Sequence, residues 1–249
     1  MKKILAEIAY DGSLYHGFQI QPKKPTIQGE IEKALEEISK TKIKIYSSGR
    51  TDKGVHARGQ IIAFYINMNI SPKNLKVALN SLLKNDIKIT KLKYTKDEFQ
   101  PRFNARGRKY SYYILNNENH YPWDAYQAYY VKKKLNINRL NEMSEMLIGR
   151  HDFTTFSCIR DQTNSKLKEI YFARFKKKNK FIVFEIIGSS FLWKMVRSII
   201  GTMLDIEIKN EPVHTFLQIL NSKNRKFARK TAPANALFLD KVYYEKQIN

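Results

Sequence analysis

Ser47-Ser48-Gly49-Arg50-Thr51-Asp52-Lys53-Gly54-Val55-His56-Ala57-Arg58-Gly59 joins two apolar segments, Ile43–Ser47 and Gln60–Ile66, that read as consecutive strands. The stretch is too long and too polar for a minimal hairpin turn. Upstream, Lys3–Tyr10 alternates like a strand, and Thr26 caps a helix to about Lys40 with Ile27, Ile31, Ala34, Leu35 and Ile38 on one face. Downstream, Ser71 followed by Pro72 is an N-cap with proline at the first helical position, opening a helix to about Leu83, and Asp86–Tyr94 returns as a strand. The order is β-α-β-β-α-β, a ferredoxin-like split unit, with the polar stretch between its second and third strands.

The second half gives nearly the same order. Gly107–Leu115 is a tyrosine-rich strand, Asn138–Ile148 a helix stopped by Gly149, and Lys168–Lys176 with Phe181–Ile187 a hairpin around Lys178-Asn179-Lys180. A long amphipathic helix is expected from about Phe191 to Ile206, a short one over Pro212–Leu220, and a last strand over Leu237–Tyr244. Two α/β lobes follow, residues 1–105 and 106–249, with no Pro/Gly/Ser linker separating them.

Composition narrows the classes. The 249 residues carry 45 Lys and Arg against 23 Asp and Glu, a formal net charge of +22, yet 43% are hydrophobic, enough for a sizeable core. Charge is not confined to an arm: 19 basic residues face 10 acidic ones up to Ala105, and 26 face 13 beyond it. A folded, basic, aromatic-rich chain points to nucleic acid, although a lysine-biased coding sequence would leave the same composition. No run of about 18 apolar residues suggests a membrane span. The N-terminus reads as a strand rather than a signal peptide, and the single Cys158 fits a reducing cytoplasm.

Motifs for common cofactors are missing. His16, His56, His120, His151 and His214 show no metal-ligand spacing, and no Walker loop, G-x-G-x-x-G or G-x-S-x-G stands after a strand. Three clusters remain. In the first, Asp52 lies among Arg50, Lys53 and Arg58, with Gly49, Gly54 and Gly59 letting the backbone bend. It is either a solvated Asp-x-Gly turn or an ionised acid suited to act as nucleophile or base. In the second, Arg102–Tyr113, Arg106 and Lys109 interleave with Tyr110 and Tyr112 on one face and Tyr113 on the other. That is either a core strand with a basic edge or the kit for gripping phosphate while stacking a base. In the third, Gly188–Arg197, Phe191 and Met195 continue to Ile199 as a core stripe, while Arg197 is costly there unless paired with a carboxylate.

Seven segments in order resemble the bacterial tRNA pseudouridine synthase A family: YDGSLYHGFQIQ (10–21) with TIQGEIEKAL, GRTDKGVHARGQ (49–60), LNSLLKNDI (79–87), RFNARGRKYSYYI (102–114), GRHDFTTFS (149–157), FLWKMVRSIIGT (191–202) and TAPANALFLDKVYY (231–244). The resemblance implies two α/β lobes sharing one mixed, mainly antiparallel sheet with a basic cleft, usually in a cytoplasmic homodimer. It implies isomerisation of uridine to pseudouridine in the tRNA anticodon stem–loop, at nucleotides 38 to 40, without metal or cofactor. The family nucleophile falls on Asp52, the base-stacking tyrosine on Tyr110, the residue that fills the gap of an extruded base on Arg50, and the partner of the catalytic carboxylate on Arg197. Thr51, His56, Arg58, Arg106 and Lys109 complete the candidate substrate contacts. The chain departs from the family's usual Gly at Ser190 and Ala236, from Pro at Lys84 and from Tyr at Trp193. The alternatives are the same chemistry on ribosomal RNA and a binding protein that kept the fold. The second has no chemical reason to retain Asp52, Tyr110 and Arg197 together.

Overall fold

Alternation of buried and half-exposed residues along Lys2–Tyr10 (β1) sets one face of this strand into a core, with Ile4, Ala6, Ile8 and Tyr10 inside. The computed structural model describes residues 1–245, which fold as two units. The first runs from Met1 to Arg106 and takes in the chain again from Phe238.

In this unit β1 lies between two antiparallel partners, His56–Ile66 (β3) and Ile87–Tyr94 (β4). Helix α1 (Ile27–Ser39) begins where the Thr26 side chain accepts from the Gly29 amide, and it ends at Lys40 in the left-handed region at φ 56°. Helix α2 (Pro72–Leu82) is capped likewise by Ser71 and buries Leu75 and Leu79. Two short strands share the remaining edge of β3. Tyr46–Ser47 (β2) pairs antiparallel opposite Ala63 and Ile62, and the C-terminal strand Leu237–Tyr243 (β10) pairs parallel with Phe238 opposite His56 and Leu239 opposite Ala57.

The second unit, Gly107–Leu237, orders its strands β5 (Gly107–Leu115), β9 (Phe181–Gly188), β8 (Leu167–Lys178) and β7 (Gly149–Asp152), all antiparallel. The two-residue β6 (Tyr129–Tyr130) runs parallel to the end of β5. Helices α3 (Ile137–Glu145), α4 (Met195–Lys209) and α5 (Thr215–Asn221) complete the unit, and its core holds Leu140, Phe175, Phe184, Ile199, Met203 and Phe216. The fold is mixed α/β with mainly antiparallel strands, as the sequence pattern requires. No helix among the described residues is long and apolar enough to cross a membrane.

Several boundaries differ from the sequence expectation: only Tyr46–Ser47 of the strand expected over Ile43–Ser47 pairs, α3 ends at Glu145 rather than Ile148, and α5 starts at Thr215 rather than Pro212. β3 starts at His56 rather than Gln60, because β10 supplies a partner for its first residues. Helix α4 starts at Met195 rather than Phe191, because Lys194 adopts φ 62° and breaks the helical path. The last strand, expected in the C-terminal lobe, belongs to the first unit from Phe238 onward, and the division falls after Arg106 instead of Ala105.

Candidate active site

In the first unit the loop bearing Asp52 is shorter than its polarity suggested, since strand begins at His56. Its two ends are clamped by Gln60, which has no exposed surface. The Gln60 carboxamide oxygen accepts from the Ser48 hydroxyl and from the Ile61 amide at 3.0 Å, and its nitrogen donates to the Gly49 carbonyl at 2.8 Å. The middle is held from β1 and the segment after it. Tyr10 and Thr51 share a hydroxyl–hydroxyl hydrogen bond of 2.8 Å, and the Phe18 amide donates to the Thr51 carbonyl at 3.1 Å. Gly17, at φ +94°, passes so close that a Cβ there would stand 2.8 Å from the Thr51 carbonyl oxygen. Thr51 is thus buried and bound on both sides, whereas Asp52 beside it is half-buried and Arg50 exposed. The Val55 amide donates back to the Asp52 carbonyl at 3.1 Å, closing the turn through Gly54 at φ +78°. The backbone is fixed while the carboxylate keeps partial access to solvent, an arrangement suited to a nucleophile or base.

His56 and Arg58 follow on β3. His56 is 1% exposed; its Nδ1 lies 3.1 Å from an Asp11 carboxylate oxygen and accepts from the Gly12 amide at 3.2 Å. The ring stacks on Phe238 of β10 at 4.5 Å. Arg58 lies over the same phenyl ring, 3.9 Å from its centroid, and donates to the Asp240 carboxylate at 2.7 Å. His56 therefore serves as a buried prop beneath the loop, while Arg58 remains exposed. His16, beside the loop, has a buried Nδ1 without a hydrogen-bond partner, and burial together with Lys53 and Lys24 pushes its pKa below the ordinary imidazole value.

In the second unit β5 presents Tyr110 half-exposed, its ring edge-on to Phe191 at 5.2 Å. Phe191 thus walls the tyrosine instead of opening a helix. Lys109 takes the opposite face, where its ammonium lies 2.8 Å from Glu185, which also binds Lys176 at 2.6 Å. Lys109 and Tyr110 are consecutive in sequence but not on the same surface. Arg106 is exposed at the end of the first unit, its amide donating to the Tyr243 carbonyl at 2.8 Å. Arg197, in the first turn of α4, donates from Nε to the Ala232 carbonyl at 2.8 Å and accepts the Ala232 amide on its own carbonyl at 3.1 Å.

Sequence reasoning missed Gln60 and the Ala232–Pro233 segment. The only trace of the first is a polar residue at the start of an apolar strand, and the second sits unremarked inside TAPANALFLDKVYY. Among the described residues no group of three or more His, Cys, Asp or Glu could hold a metal ion.

The family model described as tRNA pseudouridine synthase matches residues 6–104 and 143–245. Asp52 and Arg197 lie inside these ranges; Arg106, Lys109 and Tyr110 fall between them. Proteins named tRNA pseudouridine synthase A from Borrelia hermsii, Borreliella afzelii and Borreliella burgdorferi are 83%, 74% and 72% identical to the chain. Each alignment covers 98% of this chain and 100% of the relative. A solved chain from a Cbf5-Nop10-Gar1 complex overlaps 81% of this chain and 54% of its own at 11% identity, with a TM-score of 0.34, too loose to bear on the site.

Proposed function

The chain belongs to the tRNA pseudouridine synthase family, and from that premise we propose that it isomerises uridine to pseudouridine at nucleotides 38 to 40, in the anticodon stem–loop of tRNA. The bond between N1 of uracil and C1′ of the ribose breaks, the base turns, and C5 joins C1′. The C5 proton leaves and N1 gains one, so the product is an isomer and nothing is consumed. Asp52 is the nucleophile of this sequence, and Tyr110 stacks on the uracil and assists removal of the C5 proton. Arg50 occupies the space left by the extruded base, and Arg197 is the cation that keeps the working carboxylate ionised. Thr51, His56, Arg58, Arg106 and Lys109 support or contact the substrate. The working form is a homodimer in the cytoplasm.

The observation that carries this reading is the contrast within the loop. Thr51 is locked by Tyr10 and Phe18, while the adjacent Asp52 side chain stays half-buried on a backbone that cannot drift. A solvated turn has no need of such restraint.

The test is tritium release from C5-labelled tRNA by Asp52→Asn, which keeps shape and removes charge. Turnover is expected to fall by at least about a thousandfold with tRNA binding retained. Near-normal release defeats the assignment, and mapping the product on bulk RNA decides among nucleotides 38 to 40, other tRNA sites and ribosomal RNA.

A further inference from the structure

β5 carries Tyr110 and Tyr112 on one face, opposite Ile186 and Phe184 of β9, and only the first has a place in the chemistry above. Tyr112 has no exposed surface, and its hydroxyl donates to the Pro233 carbonyl at 3.0 Å, 121 positions along the chain. Pro233 directly follows Ala232, the residue that exchanges two hydrogen bonds with Arg197. These residues belong to a strap, 229–236, laid on α4. The Arg229 amide donates to Thr202 Oγ1 at 3.1 Å, and Gly201 leaves no room for a Cβ beneath the Lys230 carbonyl. At its far end Asn235 donates to the carbonyls of Tyr126 at 3.1 Å and Ala125 at 3.3 Å.

A short covalent and hydrogen-bonded path therefore runs from Tyr110 along β5 to Tyr112, across the phenol to Pro233, and through Ala232 to the guanidinium of Arg197. We propose that Tyr112 is a positioning residue for the isomerisation: its hydroxyl locks the strap to β5 and so fixes Arg197 relative to Tyr110. The inference rests on the roles assigned above to Tyr110 and Arg197. Packing alone does not account for the hydroxyl, since phenylalanine fills nearly the same core volume with no polar atom of its own to satisfy. Burial raises the phenol's pKa, with nearby Arg197 opposing, so the group stays a protonated donor throughout the working pH range and takes no part in proton transfer. With Nε anchored on Ala232, the aim of the guanidinium is set by the strap as much as by the helix.

The test compares full-length wild type, Tyr112→Phe, Arg197→Lys and the double variant on tRNA transcript. Tyr112→Phe is expected to lower kcat on the order of tenfold to a hundredfold, as small misplacements do, with KM within about twofold and Tm within about 4 °C of wild type. The double variant should be no slower than Arg197→Lys alone, because the phenol acts through the guanidinium. Hydrogen exchange at the Ala232 amide gives a readout independent of turnover, expected to quicken in Tyr112→Phe while protection elsewhere is unchanged. Wild-type kcat in Tyr112→Phe, multiplicative losses in the double variant, or unchanged exchange at Ala232 would each overturn the inference. A silent Arg197→Lys would remove the role proposed for that residue and this inference with it. Losses in Asp52→Asn and Arg197→Lys beside a silent Tyr112→Phe would overturn this inference alone.

Discussion

Gln60 is a neutral side chain with every polar group engaged inside the fold, and what it fastens is the frame of the Asp52 loop. Gln60→Leu keeps most of its volume and removes the donor to the Gly49 carbonyl and the acceptor of the Ser48 hydroxyl. We expect a loss of about 1–3 kcal/mol, hence a Tm lower by roughly 2–10 °C, and a turnover deficit persisting well below the melting range with tRNA affinity little altered. Calorimetry with filter binding checks this; a variant that melts like wild type would show the clamp to be incidental. Asp52 was legible because a lone acid among Arg50, Lys53 and Arg58 between glycines is an unusual composition. Gln60 was not, because its value lies in partners twelve and eleven positions away that only the folded hairpin brings to it. Thr51 and His56, among the candidate substrate contacts, also have side-chain partners within the first unit, Tyr10 and Asp11.

The start of α4 shows the same distinction between elements. Phe191, Met195 and Ile199 have helical spacing, and the periodicity alone extends the helix four residues too far. The break lies at left-handed Lys194, and the residue before it is held from outside by Asp161, whose carboxylate accepts the Trp193 amide at 2.6 Å, the Thr163 amide at 2.8 Å and the Lys166 ammonium at 2.8 Å. Burial by itself would raise the pKa of this carboxyl, but the hydrogen bonds from Lys166, Thr163 and Trp193 prevail and hold it well below the usual range. A carboxylate with a lowered folded-state pKa stabilises fully above its unfolded pKa, near 4, and that contribution fades as pH falls toward the folded value. Asp161→Asn should therefore melt about 3–10 °C below wild type at pH 7, with the gap narrowing progressively below about pH 4. A gap independent of pH across that interval would mean that the charge contributes nothing. By contrast β5 was legible to the residue, from Gly107 to Leu115, because its alternation of tyrosines is local and β9 matches it. The four-residue β7 and two-residue β6 left no such pattern.

For the molecule as a whole, the net charge of +22 is large and spread along the sequence. Part of it is committed internally: Lys109 and Lys176 to Glu185, Lys180 to Asp124, Arg58 to Asp240. Enough remains to neutralise about five to eight phosphates, which gives a slope of log affinity against log salt of roughly −4 to −7 for structured RNA. Tyr110→Ala should leave that slope unchanged while lowering turnover, since stacking releases no counterions. A flat salt response in titrations of tRNA binding would return the charge to coding bias.

The largest departure from the sequence pattern was global. A strand at the C-terminus closes the edge of β3 next to the Asp52 loop, placing Phe238 against His56 and Arg58 and Asp240 against Arg58. The pairing of Ala57 with Leu239 joins positions about 180 residues apart, an interval that takes roughly 10–40 s to synthesise at ordinary elongation rates. Throughout that time the nascent chain already carries its acid but not the strand that completes the acid's support, and the edge of β3 stands open to mispairing. Competence thus waits for β10, so a chain stalled or clipped before Leu237 is a folding liability before it is a catalyst.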